Sequence, residues 1–188
     1  LAEIVECGLL SSGELIIVDD SEDQATYDAC HLFLRYPQIR FLSRAKRLGL
    51  ASAVMAGFEL ASGDLLICMD GDGSHSPSVV KELIKTSSSS EAEVIVGSRY
   101  VAGGQLASSW PLLRRFFSRF FCLLVWPLTK VSDPMSGCFA VRKSFYHQHK
   151  AKFCAVGYKI LLEILVKSRC QTTLELPLSF RSRKEGSS

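Results

Sequence analysis

Two pairs of aspartates are the residues of this sequence whose types and spacing best suit the binding of a cation or a polar ligand. Asp70 and Asp72 flank a single glycine, and Asp19 and Asp20 are adjacent at the end of an apolar run. Hard divalent ions such as Mg²⁺ bind one or two carboxylates and complete their coordination with water and substrate phosphates. Aspartates spaced in this way are also common in simple turns at strand ends. The residues alone therefore leave a metal site and a turn open.

The adjacent aspartates allow two interpretations of their own. A carboxylate at the end of a strand can accept hydrogen bonds from the ribose or base of a nucleotide. Asp20 or Ser21 can instead cap the helix that follows, because both side chains accept hydrogen bonds from the first N–H groups of a helix. Both interpretations place these side chains at the edge of a sheet.

The spacing of apolar residues predicts the elements that position these carboxylates. Continuous apolar runs predict strands at residues 14–20, 39–43, 64–69, 92–97, 136–141 and 172–180. Helical spacing predicts helices at residues 1–10, 23–35, 50–61, 77–85, 110–128 and 157–168, with a loop at 87–90. This alternation indicates an α/β fold with a mostly parallel central sheet covered by helices. We expect one domain over residues 1–188, with the aspartates at the sheet edge where ligands of such folds bind.

The composition excludes several classes of protein. Hydrophobic residues make up 47% of the chain and charged residues 22%, which excludes a disordered chain and a collagen-like fibre. The seven cysteines are never spaced Cys-x-x-Cys, so they support neither a disulfide framework nor a zinc knuckle and favour a reduced, cytosolic setting. The apolar run at residues 120–128 is too short to span a bilayer, which takes about 20 residues.

Basic residues are concentrated in one part of the chain. The net charge is +3, but residues 94–132 contain five basic residues and no acidic one. Within residues 110–128, arginines alternate with large apolar side chains, as in helices that lie in the headgroup region of anionic membranes. The alternative is a helix packed on the sheet with half of its phenylalanines in the core. We expect no nucleic-acid partner, because the chain as a whole is barely basic.

Short motifs follow one another along nearly the whole chain. They are IIVDDS at 16–21, RAKRLGLA at 44–51, SGD at 62–64, MDGDGSHSP at 69–77, VGSRY at 96–100, RRFFSR at 114–119, DPMSGCF at 133–139, GYKILLE at 157–163 and ELPLSFRSRKEGS at 175–187. In this order they resemble the family 2 glycosyltransferases, and among them the polyprenol (dolichol) phosphate mannosyltransferase group. The resemblance implies a Rossmann-like nucleotide-sugar fold of the GT-A type. The family's opening strand has no counterpart here, so we expect a sheet without its usual first strand and a chain that is part of a longer protein.

The resemblance also assigns a donor site and a metal site. Val18 and Asp20 would contact the base and ribose of the donor nucleotide. Asp70, Gly71 and Asp72 would face its ribose and diphosphate. Asp72 would be the main ligand of a Mg²⁺ or Mn²⁺ ion, with Asp70 beside it and Ser74 at a further position on the metal side.

Basic residues would bind the phosphates. The resemblance assigns Arg99, Arg114 and Ser118 to the phosphates of acceptor and donor, and Arg183 to a position that closes over the diphosphate. A lipid phosphate is already anionic near neutral pH, so it needs cations that orient it rather than a strong general base. Asp133 would orient the acceptor or an arginine, or would stabilise the turn at residues 134–137. With Asp72, Arg99 and Arg114, it completes the predicted catalytic set.

The resemblance implies an inverting glycosyltransferase that moves mannose from GDP-mannose to a polyprenyl (dolichyl) phosphate. It would be peripheral on the cytosolic face of a membrane, contacting lipid through residues 110–128, with an anchoring segment or subunit outside these residues. Two alternatives remain, the first because these motifs do not identify the sugar or the base and the second because the family's opening strand has no counterpart here. One is a polyprenyl-phosphate glucosyltransferase that uses UDP-glucose, and the other is a non-catalytic module that binds nucleotide sugars.

Overall fold

Strands and helices alternate along the chain in a computed structural model that describes residues 1–44, 49–107 and 109–180. Within these ranges the strands are β1 (Leu15–Asp19), β2 (Ile39–Ser43), β3 (Leu65–Cys68), β4 (Val94–Ser98), β5 (Phe139–Arg142) and β6 (Thr173–Pro177). The α-helices are α1 (Ala2–Glu6), α2 (Ala25–Cys30), α3 (Leu50–Leu60), α4 (Ser78–Ser88), α5 (Leu112–Thr129), α6 (Lys143–His149) and α7 (Ile160–Ser168). The alternation confirms the predicted α/β class.

The described strands form two sheets in which most strands share one direction. Strand β1 pairs with β2 in parallel, and the second sheet has the order β3-β5-β4-β6. Strands β3, β4 and β6 run the same way, whereas β5 is antiparallel to both of its neighbours. Phe139, the first residue of β5, pairs with Val96 near the end of β4. The chain therefore leaves β4 and enters β5 at the same end of the sheet. The segment between them therefore lies at the carboxyl ends of β3 and β4.

Helices cover both faces of the second sheet. Successive side chains of a strand point to opposite faces, so Val94 and Val96 of β4 pack in the core beneath α3, α6 and α7, while Ile95 packs towards α4. In the first of these layers the ring of Phe58 in α3 contacts Phe139 and Tyr146 edge to face, with centroids 6.2 and 5.3 Å apart. This packing holds α3 and α6 against β5.

A cavity of about 980 Å³ separates the two sheets. Among the described strands, β1 lies at the edge of one sheet and β3 at the edge of the other. Leu15, Ile16 and Val18 line the cavity from β1, and all four residues of β3 line it from the opposite side. The cavity continues past the end of β3, where Asp70 and Asp72 form part of its wall.

Helix α5 is largely uncovered by the rest of the described structure. Of its 18 residues, two are buried, Cys122 and Thr129. Its phenylalanines expose between 47% and 64% of their surface: Phe116, Phe117, Phe120 and Phe121. The expectation that half of them belong to the core is therefore wrong. None of the described helices is long and apolar enough to cross a membrane.

Several boundaries differ from those predicted. The helix expected at residues 23–35 is α2 followed by a 3₁₀ turn, His31–Arg35. Helix α4 continues to Ser88 and so takes up part of the loop expected at residues 87–90. Helix α6 was not predicted, although it buries Phe145 and Tyr146 in the core.

Candidate functional site

Residues from many parts of the chain line the cavity that reaches the carboxyl end of β3. Six of the residues predicted for the site lie on its wall: Val18, Asp70, Gly71, Asp72, Arg99 and Arg114. Four others do not line it, namely Asp20, Ser74, Ser118 and Asp133. Arg183 lies outside the described residues. The structure thus brings the aspartates after β3 together with two of the predicted phosphate-binding arginines.

The carboxylate of Asp70 is held between a histidine and a glycine. Nε2 of His75 lies 3.1 Å from its Oδ2, and the His75 side chain is almost fully buried. On the other side, a Cβ added to Gly137 would lie 2.5 Å from the same oxygen. Nδ1 of His75 has no hydrogen-bond partner among the described residues. Asp70 therefore has little freedom to turn away from the cavity.

Asp72 forms the turn that the sequence left open as an alternative. Its Oδ1 accepts a hydrogen bond from the backbone N–H of Ser74, at 3.0 Å. The Ser74 hydroxyl is buried, and no hydrogen-bond partner for it lies in the described ranges. Asp70, Asp72 and this unsatisfied hydroxyl are oxygen ligands of the kind that Mg²⁺ and Mn²⁺ bind. No group of three or more His, Cys, Asp or Glu side chains suited to a metal occurs in the described part of the chain, so substrate and water would have to complete the coordination.

Arg99 is fixed by a buried carboxylate. Asp133 is completely buried and accepts hydrogen bonds from the backbone N–H, Nε and Nη2 of Arg99, at 3.0, 2.7 and 2.7 Å. Burial acts to lower the pKa of Arg99, but the bonds to Asp133 outweigh it and raise that pKa above its usual value. Of the two roles considered for Asp133, its carboxylate therefore orients an arginine. It is a positioning residue, because it has no surface open to a substrate.

A tryptophan lies between the two arginines of the cavity wall. Cζ of Arg99 is 5.5 Å from the ring centroid of Trp110, and Cζ of Arg114 is 4.3 Å from it. The guanidinium of Arg99 also faces Tyr100 and Phe180, at 5.5 and 5.7 Å. Contacts of this kind hold a cation in place without neutralising it. Arg114 thus keeps a charge that can attract an anion into the cavity, whereas the charge of Arg99 is already paired with Asp133.

Ser118 acts away from the cavity wall. Its hydroxyl lies 2.6 Å from the hydroxyl of Tyr100, and Arg119 stacks over the Tyr100 ring at 4.8 Å. Burial raises the pKa of Tyr100, although the Ser118 bond and the charge of Arg99 oppose this. Ser118 therefore connects α5 to the segment after β4 and supports Arg99 indirectly.

Asp20 is paired with an arginine at the end of β1. Its carboxylate accepts hydrogen bonds from Nε and Nη2 of Arg44, at 2.5 and 2.8 Å, and Nη2 also donates to the hydroxyl of Ser52 in α3, at 2.9 Å. Neither Asp20 nor Ser21 caps the next helix, since it is Asp23 that accepts from Ala25 at the start of α2, at 3.1 Å. The capping interpretation is therefore wrong for both.

Three residues near the site lie within the sequence motifs but are not among the predicted site residues: His75, Lys159 and Glu175. His75 contacts Asp70, and Glu175 of β6 accepts hydrogen bonds from the backbone N–H groups of Ser132 and Asp133, at 2.9 and 3.2 Å. Lys159 lines the cavity. Their spacing in the sequence gives no signal, because each acts through a partner distant along the chain or across a loop. Folding alone brings them to the site.

Comparison with known families matches residues 10–149 to the model of "Glycosyl transferase family 2". The chain is 39% identical to the dolichol-phosphate mannosyltransferase of Mycosarcoma maydis, with 95% of this chain and 62% of the relative covered. It is 35% identical to the enzymes of the same name from Pyrococcus furiosus and Saccharomyces cerevisiae, covering 93% of this chain and 50% and 67% of those relatives. The chain therefore spans between half and two thirds of the length of these relatives.

Solved structures with a similar fold include glucosyl-3-phosphoglycerate synthase of Mycobacterium tuberculosis. One crystal structure of that protein has a TM-score of 0.64 and 21% identity, covering 90% of this chain and 62% of that one. Another, in complex with Mn²⁺, uridine diphosphate and phosphoglyceric acid, has a TM-score of 0.65 and 20% identity, covering 98% and 66%. At this identity the likeness shows the fold, and it confirms the GT-A arrangement expected from the sequence.

Proposed function

Because the chain belongs to glycosyl transferase family 2, we propose that it is an inverting mannosyltransferase whose donor is GDP-mannose and whose acceptor is dolichyl or another polyprenyl phosphate. The observation that carries the proposal is that Asp70 and Asp72 share one cavity with Arg99 and Arg114. Two anionic substrates need such an arrangement of carboxylates for a cation and guanidinium groups for phosphate. The named relatives support mannose and dolichyl phosphate as substrates.

The reaction exchanges one sugar–oxygen bond for another. A phosphate oxygen of the acceptor attacks C1 of mannose, the bond from C1 to the β-phosphate of the donor breaks, and GDP leaves with that electron pair. Attack from the opposite face inverts the configuration at C1. The acceptor phosphate is already anionic, so this step requires no general base. The contribution of the protein is to orient the acceptor and to stabilise the charge that develops on the departing diphosphate.

Arg99 and Arg114 are the groups proposed to orient phosphate. A guanidinium presents several N–H donors in a fixed plane, which suits two oxygens of one phosphate. Asp133 uses Nε and one Nη of Arg99, and Arg99 lines the cavity, so we propose that its remaining N–H donors bind phosphate. Because Asp133 and Trp110 preset these positions, the cations need no rearrangement when substrate binds.

A divalent ion fits the residues at the end of β3. We propose that Asp72 and Asp70 bind Mg²⁺ or Mn²⁺, supported by the buried Ser74 hydroxyl that has no partner in the described structure. The bound ion supplies neutralisation of the departing diphosphate without proton transfer. A solved neighbour of the same fold is in complex with Mn²⁺ and UDP-glucose, which supports a divalent ion beside a nucleotide sugar.

The exposed face of α5 is proposed to rest on a lipid bilayer. Its exposed apolar side chains include Leu112, Leu113, Phe116, Phe120 and Leu124. Arg114, Arg115, Arg119 and Lys130 flank them, and residues 94–132, which include this helix, contain no acidic residue. Such a combination favours the headgroup region of an anionic membrane. A polyprenyl acceptor lies in the bilayer, so contact through α5 would bring Arg114 close to its phosphate. The cytosolic face follows from the cytosolic supply of nucleotide sugars expected for this reaction.

A transfer assay tests the proposed function. The full chain is incubated with labelled GDP-mannose, Mn²⁺ and dolichyl phosphate in vesicles, and the lipid product is extracted and its anomeric configuration determined. UDP-glucose, GDP-glucose and UDP-galactose serve as competing donors. Formation of β-linked mannosyl phosphate supports the proposal. Preferential transfer from UDP-glucose would instead favour a glucosyltransferase, and donor binding without any transfer would favour a non-catalytic module.

The metal role of Asp72 has its own test. Asp72→Asn keeps the shape of the side chain and removes its charge, so transfer should fall by about 100-fold or more. Asp28→Asn, at an exposed position on α2, is the matched control and should leave the rate unchanged. Mn²⁺ binding, measured by calorimetry in the presence of GDP, should weaken in Asp72→Asn alone.

A further inference from the structure

Lys159 stands on the wall of the cavity that also contains Asp70, Arg99 and Arg114. It immediately precedes helix α7 and is an exposed residue. Its Nζ donates one long hydrogen bond, 3.5 Å, to the carbonyl oxygen of Met135. Met135 follows Asp133 in the same loop, so the ammonium of Lys159 lies over the segment that positions Arg99.

The ammonium of Lys159 makes no ion pair with a carboxylate in the part of the chain that the structure describes. The arginines closest to the sheet edge differ in this respect, because Arg99 pairs with Asp133 and Arg44 with Asp20. An ammonium has three hydrogen-bond donors, and the bond of Lys159 goes to a neutral carbonyl. The charge of Lys159 is therefore not balanced by a bound carboxylate, whereas the charges of Arg99 and Arg44 are.

Charged groups of both signs act on the ammonium of Lys159. The surrounding protein removes part of the hydration of its ammonium, which lowers its pKa, and the charge of Arg99 lowers that pKa further, while Asp133 and Asp70 act in the opposite direction. The first N–H groups of α7 add the positive end of a helix dipole, and no side chain of the described residues caps this end. An anionic oxygen beside Lys159 would accept a hydrogen bond from its ammonium and would face the positive end of this dipole.

The backbone on both sides of Lys159 is fixed. On one side, the carbonyl of Gly157 accepts a hydrogen bond from the N–H of Ala51 in α3, at 3.0 Å. On the other, the carbonyl of Lys159 accepts from the N–H of Glu163 in α7, at 3.2 Å. The base of the side chain is thus anchored, and the four-carbon stem gives the ammonium freedom to reach a ligand in the cavity.

We propose that Lys159 binds a phosphate oxygen of a substrate and acts beside Arg99 as a further cation of the site. This inference rests on the proposed function, in which a diphosphate and a phosphate monoester meet in this cavity. Both substrates present the same chemistry to Lys159, an anionic phosphate oxygen. Lys159 has a flexible four-carbon stem, whereas Arg99 is held by Asp133, so the two cations would complement each other in binding phosphate.

The test uses Lys159→Gln and Lys159→Arg in the full chain. Initial rates are measured against GDP-mannose and dolichyl phosphate separately, and the affinities for GDP and for farnesyl phosphate are measured by calorimetry. Lys152→Gln, an exposed lysine outside the cavity, is the matched control. Loss of one charge-assisted hydrogen bond should weaken binding of one phosphate ligand by about tenfold or more. Lys159→Arg should recover most of that loss.

The two kinds of ligand are distinguished by which constant changes. If Lys159 binds the acceptor phosphate, its loss should raise the KM for dolichyl phosphate and weaken the binding of farnesyl phosphate. Weaker binding of GDP and a higher KM for GDP-mannose assign it to the donor diphosphate. Unchanged affinity of folded Lys159→Gln for both ligands would overturn the inference. The calorimetric arm gives this answer even if the wild-type chain transfers no mannose, a result that would count against the proposed function alone.

Discussion

Gly137 lies directly against the carboxylate of Asp70, and a Cβ added to Gly137 would be 2.5 Å from Oδ2 and 2.8 Å from Oδ1. Gly137 ends the loop that begins with Asp133, the partner of Arg99, whereas Asp70 follows β3. This contact joins the loop that contains Asp133 and Gly137 to the segment that contains the proposed metal ligands Asp70 and Asp72. A side chain added at position 137 would therefore press directly on the carboxylate of Asp70.

Gly137→Ala should displace the carboxylate of Asp70. The methyl group cannot be accommodated at 2.5 Å, so either Asp70 or the loop must shift. A misplaced charged group in a preorganised site costs about 10²-fold in rate. We expect Mn²⁺-dependent transfer to fall by that order while the circular dichroism spectrum is retained.

Gly63→Ala is the matched control for this substitution. The nearest atom to a Cβ at Gly63 is 4.0 Å away, an ordinary contact. The Gly63→Ala variant should therefore keep its transfer activity. Equal losses in the two variants would show that alanine substitution harms this fold generally, and would remove the case for the contact with Asp70.

Asp133→Asn should reduce both stability and activity. The change keeps the shape of the side chain but leaves the guanidinium of Arg99 with an uncharged partner in a buried position. Removing one partner of a buried ion pair destabilises a protein by about 3–5 kcal/mol. We expect a lower free energy of unfolding in urea, together with a higher KM for the acceptor because Arg99 loses its fixed orientation.

A surface ion pair provides the comparison. Nζ of Lys150 lies 2.6 Å from Oε2 of Glu59, and both side chains are more than one third exposed. Exposed pairs contribute about 0–1 kcal/mol, so Lys150→Gln should scarcely alter unfolding and should leave the KM unchanged. A stability loss in Asp133→Asn no larger than that of Lys150→Gln would argue against a structural ion pair at Arg99.

Trp110→Ala should weaken acceptor binding with little change in stability. The substitution removes the ring that both Arg99 and Arg114 contact, and each such contact contributes about 0.5–1 kcal/mol at exposed sites. The KM for farnesyl phosphate should rise roughly fivefold, and Trp110→Phe should restore most of it. Trp126→Ala removes a comparable contact with Lys130, at 4.5 Å, outside the cavity. It should leave this KM unchanged.

The double substitution of Phe116 and Phe120 by serine should weaken membrane binding. The two rings stack with centroids 6.3 Å apart and are 64% and 48% exposed. Loss of their apolar surface should reduce partition into vesicles of phosphatidylserine and phosphatidylcholine by roughly tenfold or more. Sedimentation with vesicles at low and high salt measures the effect and separates the apolar part from the electrostatic one.

Leu32→Ser serves as the control for membrane binding. Leu32 is 66% exposed but lies far from α5 in the sequence, next to α2. Activity on farnesyl phosphate in solution should be the same in both variants and in the wild type. Vesicle binding that survives the loss of both phenylalanines would contradict the proposed role of α5.

The elements that the sequence predicts well are those whose pattern is local. The strand at residues 39–43 has the predicted bounds, and α3, Leu50–Leu60, differs from its prediction by one residue. The direction of β5 could not be predicted, because an apolar run does not encode which neighbour it pairs with. Pairing with both β3 and β4 is decided by tertiary packing. Helix α6 was missed because its polar residues obscure the two aromatics that it buries.

For the site too, local motifs could be predicted from the sequence, whereas contacts between distant residues could not. Asp70, Asp72 and Arg99 occur in recognisable motifs, and the structure places all three on one cavity wall. Asp133 was recognised too, but its role depends on a bond to Arg99 across 34 residues, which no spacing rule reveals. Lys159 and Glu175 face the site from elements far along the chain. Contacts of this kind depend on the folded topology.

The two sheets differ in how readily their backbone should exchange hydrogen for deuterium. No side chain of β1 is fully buried, whereas every residue of β4 is, and a sheet of two strands is only marginally stable alone. Amides of β1 and β2 should therefore exchange through local openings that leave β4 and β5 intact. Val18 and Asp20, proposed to contact the nucleotide, lie at the end of β1. That part of the site would therefore open locally, while Arg99, which follows β4, stays in place. Donor binding should therefore slow the exchange of β1 amides more than that of β4 amides, and this difference would report nucleotide occupancy.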